Sequence, residues 1–311
     1  MITFLASPKP FKGIAKEHQY RAIRSWLSTG TDVEVILYGD SEGIDEAGSD
    51  LGVQVIKQIE CTSSGIPFFG SIVAHAEIYG KNDLQVYLNC DILLSGVMPA
   101  LRLIEFPQFL LIGQRINLGD AVFVDLDMSD CMAQLVKVVR EGKAILDTPS
   151  ATDYFCFRRG MWRDIPRIII GRGGYDQALL AYCMRHRIPI IDGTFRVIAL
   201  HQFHDYNHIE GGNKVVFSGT DAEHNYREGR AGKHSRAQVS DAGYVINGVQ
   251  LKPRPCRGDW VRQLELKLRH EKGLHKTALA LRLIWRGLAS IKIMKTTQLC
   301  IADLMDSYSK Y

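Results

Sequence analysis

The first group able to do chemistry is Asp91, a carboxylate set inside the apolar stretch LQVYLNCDILL at residues 84–94. Leu84 to Leu88 follow the polar turn Lys81-Asn82-Asp83 and form a short run containing β-branched and aromatic residues, which predicts a buried strand. Asn89-Cys90-Asp91 falls where that strand leaves its sheet. In open α/β sheets ligands sit at the carboxyl ends of strands, so a carboxylate there points into the crevice. Ile92, Leu93 and Leu94 come next. Burying an unpaired carboxylate among them would cost several kcal/mol, and a divalent cation would offset that cost. The simpler use of such an aspartate is an Asx-turn or a helix cap.

Two further clusters could join it. Gly171-Arg172-Gly173-Gly174-Tyr175-Asp176 delivers a carboxylate to the start of a predicted helix over 176–187. There Asp176 either complements the helix dipole or acts as a general base on a hydroxyl. His201, His204, Asp205, Tyr206 and His208 follow the last predicted core strand. Imidazole and carboxylate together suit Mn²⁺ or Zn²⁺, but H-x-x-H on a loop lacks the helical H-E-x-x-H geometry of zinc hydrolases. Lys9, in the rigid turn Ser7-Pro8-Lys9-Pro10, and Asp40 sit after strands one and two, where a nucleotide would lie in a doubly wound sheet.

Positioning these groups requires a layered fold. Strands are expected at Ile2–Ala6, Val33–Tyr38, Val53–Ile56, Leu84–Leu88, Phe109–Gly113, Ala121–Leu126, Asp153–Phe157, Ile188–Asp192 and Phe195–Leu200. Helices are expected over 17–27, 71–79, 129–141 and 176–187. Strands alternating with helices over short links imply a mostly parallel sheet covered by helices. Residues 213–250 are polar and rich in Gly, Asn, Asp, His and Arg, and read as a flap with little core of its own. Residues 251–311 read as a basic helical appendage. The expected divisions are therefore 1–212, 213–250 and 251–311.

Composition narrows the class. The chain has 311 residues, 46% of them hydrophobic and 23% charged, with a formal net charge of +4, as ordinary globular proteins do. The cysteines at 61, 90, 131, 156, 183, 256 and 300 form no C-x-x-C pair, which argues against a zinc cage or disulfide framework and fits a reducing cytoplasm. The amino terminus shows no signal-peptide pattern, and no apolar run approaches the ~20 residues of a membrane span.

With ITFLASPKPF, VYLNCDILL, TDYFCFRRG, GRGGYDQALL and ALHQFHDYNH in this order, roughly residues 1–250 resemble the GT-A class of nucleotide-sugar glycosyltransferases. They resemble more closely an uncharacterised bacterial GT-A-like group. The resemblance implies a GT-A-like α/β sheet and transfer of a sugar from a nucleoside diphosphate donor, UDP favoured, to a glycan or lipid-linked hydroxyl. The D-x-D motif stands here as Asn89-Cys90-Asp91, so only its last aspartate is kept. By resemblance Asp91 and His201, with His204 second, would hold Mn²⁺ or Mg²⁺ against the diphosphate. Asp176 would be the base of an inverting displacement. Asp40 would contact the nucleobase, with Ser7, Pro8, Lys9 and Asn89 lining the donor site.

Two rival functions remain. A nucleotidyltransferase shares the sheet and metal requirement, yet would carry a glycine-rich basic loop after strand one, where this chain has Ser-Pro-Lys-Pro. A protein of the same fold that binds glycan or a partner without turnover would explain the degraded motif. The basic, apolar pattern over 259–296 is compatible with lying on the inner face of a membrane, or more plainly with helices packed on the core. Nucleic acid is not an expected partner, because aromatics beyond Trp260 and Trp285 are missing from that tail.

Overall fold

The computed structural model describes residues 1–120, 122–124, 131–203, 212–229 and 237–254, and single positions between 261 and 284. In chain order the elements are β1 (Ile2–Ala6), α1 (Gly13–Leu27), β2 (Val33–Tyr38), α2 (Ile44–Leu51), β3 (Gln54–Ile56), α3 (Phe69–Tyr79), β4 (Leu84–Leu88) and β5 (Ile92–Ser95). They continue as α4 (Val97–Leu101), β6 (Leu110–Ile112), β7 (Ile116–Leu118), α5 (Cys131–Arg140), β8 (Ala144–Leu146), β9 (Tyr154–Arg158), α6 (Tyr175–Arg185) and β10 (Ile190–Asp192). The last are β11 (Ile198–His201), α7 (Gly212–Ser218), α8 (Thr220–Glu228), β12 (Tyr244–Asn247) and β13 (Gln250–Pro253).

Alternation along β1 shows why the main sheet is covered on both faces. Ile2, Phe4 and Ala6 join one core with Trp26 of α1 and Ala47 of α2. Leu5 joins the other with Phe69 of α3 and Leu179 of α6. Period-two burial on both sides needs helices on both sides, and the chain supplies them. The described strands form a nine-stranded sheet in the order β13-β12-β10-β6-β9-β4-β1-β2-β3. It is mostly parallel, as expected. β9 runs antiparallel to both of its neighbours, β4 and β6, and β13 antiparallel to β12.

A second sheet, β5-β11-β7-β8, packs Leu93, Ile116, Leu118 and Leu200 around Leu135 of α5. The chain passes from the main sheet to this one through Asn89-Cys90-Asp91. Both sheets therefore meet at the residues singled out above.

Two expectations are corrected here. Residues 122–124 form no strand; the strand lies earlier, at Ile116–Leu118. Val124 is still buried in the third core, so its apolar character serves packing from irregular backbone. Residues 213–250 hold α7, α8 and a strand, β12, which extends the main sheet beside β10. Most of the expected carboxy-terminal appendage lies outside the described residues, as does most of 259–296. Among the described residues no helix is long and apolar enough to cross a membrane.

Candidate active site

One edge of the main sheet collects the polar groups. β1 and β4 are parallel, so the Ser7–Pro10 turn and Asn89 leave from the same edge. β9 is antiparallel to β4 with Tyr154 opposite Leu88, which returns Asp153 to that edge. β6, antiparallel to β9, ends there too and is followed by Arg115. Together they line a cleft of about 910 Å³ that also takes in Asp176 and His201.

The Lys9–Asp91 pair is built by three glutamine contacts. Gln19 of α1 is buried; its Oε1 accepts the Lys9 backbone N–H at 2.7 Å, and its Nε2 donates to the Lys9 carbonyl at 3.0 Å. The Lys9 Nζ then reaches Asp91 Oδ2 at 2.9 Å. Gln202 Nε2 donates to the Asp91 carbonyl at 3.2 Å and to the His18 carbonyl at 2.9 Å. Asp91 is only 6% exposed, so its carboxylate meets the Lys9 ammonium in a poorly solvated place. α1 also fixes the strand that follows: Trp26 Nε1 donates to the Ile92 carbonyl at 2.8 Å, and Ser25 Oγ accepts from the Leu94 N–H at 3.2 Å. His201 is the register partner of Ile92 across the β5–β11 pair, next in line to Asp91.

Asn89 uses its amide differently from a free donor-site ligand. Its Nδ2 donates to Asp153 Oδ1 at 2.7 Å, and its Oδ1 accepts from the Tyr175 hydroxyl at 3.3 Å. Burial, then the nearby Asp153 charge, raises the Tyr175 pKa well above its usual value, so the phenol stays a donor. Because Tyr175 immediately precedes Asp176, this bond ties the base candidate to the end of β4. The loop before it requires glycine: Gly174 has φ +85°, and a Cβ there would lie 2.8 Å from the Tyr226 ring. Asp176 is half-buried in the first turn of α6, where the helix dipole favours a carboxylate.

Arg115 closes the network. Its Nη1 lies 2.5 Å from Asp153 Oδ2 and its Nε 3.0 Å from Asp147 Oδ2, and Asn117 Nδ2 donates to the same Asp147 oxygen at 2.8 Å. Burial raises the Asp147 pKa, but hydrogen bonds from Asn117 and the Thr148 N–H and the Arg115 charge outweigh it and leave it below the usual value. Removing one partner of a buried pair costs about 3–5 kcal/mol. Arg115→Met is expected to lower unfolding free energy by roughly 3 kcal/mol, the low end because the site is partly solvated. Urea titration checks this. A depressed folded pKa stabilises above the unfolded value of about 3.9 and loses that contribution as pH falls through the folded one. The variant should therefore lose less stability than wild type across that acid window.

The structure thus brings Ser7, Pro8, Lys9, Asn89, Asp91, Asp176 and His201 onto one cleft. Asp40 is exposed outside the lining set and pairs with Lys57 at 3.0 Å. His204 lies outside the described residues, and so do Asp205, Tyr206 and His208. Among the described residues no three of His, Cys, Asp and Glu form a cluster able to hold a metal ion. Gln19, Arg115, Asp147, Asp153, Gln177, Gln202 and Asn225 had no local signal in the sequence beyond their polarity.

Fold and cleft together define a mixed α/β protein with a charged crevice at its strand ends. No family model matches the chain, and no curated protein matches its sequence. Solved structures of similar fold include glucosyl-3-phosphoglycerate synthase from Mycobacterium tuberculosis in complex with phosphoglyceric acid. That structure is 14% identical, with 67% of this chain and 74% of that chain covered at a TM-score of 0.41. The same synthase with Mn²⁺, uridine diphosphate and phosphoglyceric acid is 15% identical, with 67% and 72% covered and a TM-score of 0.41. With Mg²⁺ and uridine diphosphate the values are 14%, 67% and 73%, and 0.39. At these scores the functional reading rests on the residues of this chain.

Proposed function

We propose that this chain is a glycosyltransferase, moving a sugar from a nucleoside diphosphate, UDP favoured, to a hydroxyl acceptor of glycan or lipid-linked type. The observation that carries the proposal is the buried Asp91 carboxylate, placed with Lys9 and His201 where the chain leaves the main sheet, on the cleft that also holds Asp176. A cation and a diphosphate fit this arrangement. Mg²⁺ and Mn²⁺ are commonly bound by one or two protein groups plus substrate phosphates, and Asp91 with His201 offers two. Such a cation would neutralise charge developing on the leaving diphosphate. Lys9 and the Ser7-Pro8 turn flank the same phosphates, and Asp40, beyond the cleft lining, stays assigned to the nucleobase.

The displacement proposed is a single step. The acceptor oxygen attacks the anomeric carbon, the bond from that carbon to the diphosphate oxygen breaks, and Asp176 takes the hydroxyl proton. The binding-only reading keeps the nucleotide site without that step, and the nucleotidyltransferase reading lacks its glycine-rich loop after β1.

Calorimetric titration of UDP and of GDP, each with and without Mn²⁺, on wild type and Asp91→Ala tests the donor site. Wild type should bind one nucleotide in a metal-dependent way, and Asp91→Ala should lose at least tenfold of that affinity. The Lys9 left behind has a side chain 35% exposed, so the variant should fold. Equal, metal-independent binding by both proteins would remove Asp91 as a metal ligand. No binding of either nucleotide by wild type would overturn the donor site.

A further inference from the structure

Gln177 takes no part in the Lys9–Asp91 pair or in the Arg115 network. It follows Asp176 in the first turn of α6, lines the cleft, and is 6% exposed. Its Oε1 is buried and, among the described residues, receives no hydrogen bond. The lining amides Gln19 and Asn89 use both ends of their side chains, on Lys9 and on Asp153 and Tyr175, and of the residues lining the cleft Gln177 is the amide whose oxygen is left over. A buried amide oxygen without a donor costs about 1–3 kcal/mol, so a site keeps one where something else supplies the donor.

The chemistry of an amide selects the partner. Gln offers an acceptor and two donors, and its terminal torsion is soft, so either end can turn to the cleft. A hydroxyl both donates and accepts, and matches it with no charge to neutralise. Depth selects which hydroxyl. The acceptor must reach Asp176, which is half-buried at the cleft, from the solvent side after the donor is seated. Gln177, at 6% exposure, is more buried than the half-buried Asp176, which suits it to the part of the ligand that is seated first.

We infer that Gln177 reads a hydroxyl of the sugar carried by the nucleotide, and so sets donor specificity. The inference rests on the glycosyltransferase reading and deepens it. Losing one neutral hydrogen bond to a ligand weakens binding by roughly 3–10-fold.

The test compares nucleotide with nucleotide sugar on full-length protein in Mn²⁺: UDP against UDP-glucose and UDP-galactose, and GDP against GDP-mannose, by calorimetry. For wild type, one sugar should tighten binding over its parent nucleotide. In Gln177→Met that tightening should fall by about fivefold or more, while affinity for the parent nucleotide changes less than twofold. Gln177→Glu keeps an acceptor oxygen and should retain part of the tightening; it carries the same comparison if the Met variant fails to fold. An identical sugar increment in wild type and variant, or none in wild type, overturns the inference while nucleotide binding leaves the donor site standing. No nucleotide binding by wild type overturns both.

Discussion

Asp176→Asn is expected to slow turnover by 10²–10⁴-fold while leaving nucleotide affinity within about threefold of wild type. The two effects separate because of where Asp176 sits. Its neighbour Tyr175 bonds to Asn89, so that tie between α6 and β4 survives the substitution. The charge lost from the first turn of α6 is worth only about 0.3–1 kcal/mol to the helix. What disappears is the acceptor of the hydroxyl proton, and positioned bases contribute on that scale. The rate of UDP release from UDP-glucose, where water takes the acceptor's place, gives a readout before the natural acceptor is known. A rate within threefold of wild type would sink the assignment of Asp176 as base. A parallel loss of UDP affinity would move Asp176 into the donor site instead.

Asn225→Ala is expected to be the most destabilising polar substitution in the molecule, at roughly 3–5 kcal/mol. Asn225 of α8 has no solvent exposure. Its Oδ1 accepts the Ile169 N–H at 2.7 Å, and its Nδ2 donates to the Ile169 carbonyl at 2.8 Å and the Gly173 carbonyl at 3.3 Å. Truncation leaves three backbone groups short of a partner, in a place water reaches poorly. The damage is also local in meaning, since residues 169–173 are the loop that delivers Asp176. Urea unfolding should show a lower midpoint at unchanged slope, and UDP release should slow further than UDP binding weakens. A midpoint equivalent to less than about 1 kcal/mol of change would show that the loop holds itself.

Local signals account for what the chain displays by itself. Ile2–Ala6, Val33–Tyr38 and Leu84–Leu88 are legible residue for residue, because each is a continuous apolar run between polar turns. Lys9, Asp91 and His201 are legible because a polar residue at a strand end stands out against that run. β12 and β13 are not, since an edge hairpin buries little: Ile246 is its one fully buried side chain among the described residues. α7 and α8 are hidden for the same reason, with Val216, Ala222 and Asn225 their only buried positions described. The glutamine and asparagine clamps are illegible on principle. Gln202 finds His18 and Asn225 finds Ile169 across long stretches of chain, and no spacing rule announces such pairings.

The passage from β4 to β5 makes Asp91 a seam. On one side of it the backbone belongs to the nine-stranded sheet, and on the other to the four-stranded one, where His201 is the register partner of the next residue. A ligand gripped by Lys9, Asp91 and His201 would therefore be stitched into both layers at once. Any tilt of one layer against the other would strain that grip, and occupancy would hold the layers at one mutual angle. A nucleotide in this place would work as a rivet as well as a substrate, added to the ties that Trp26 and Ser25 already make to the second layer.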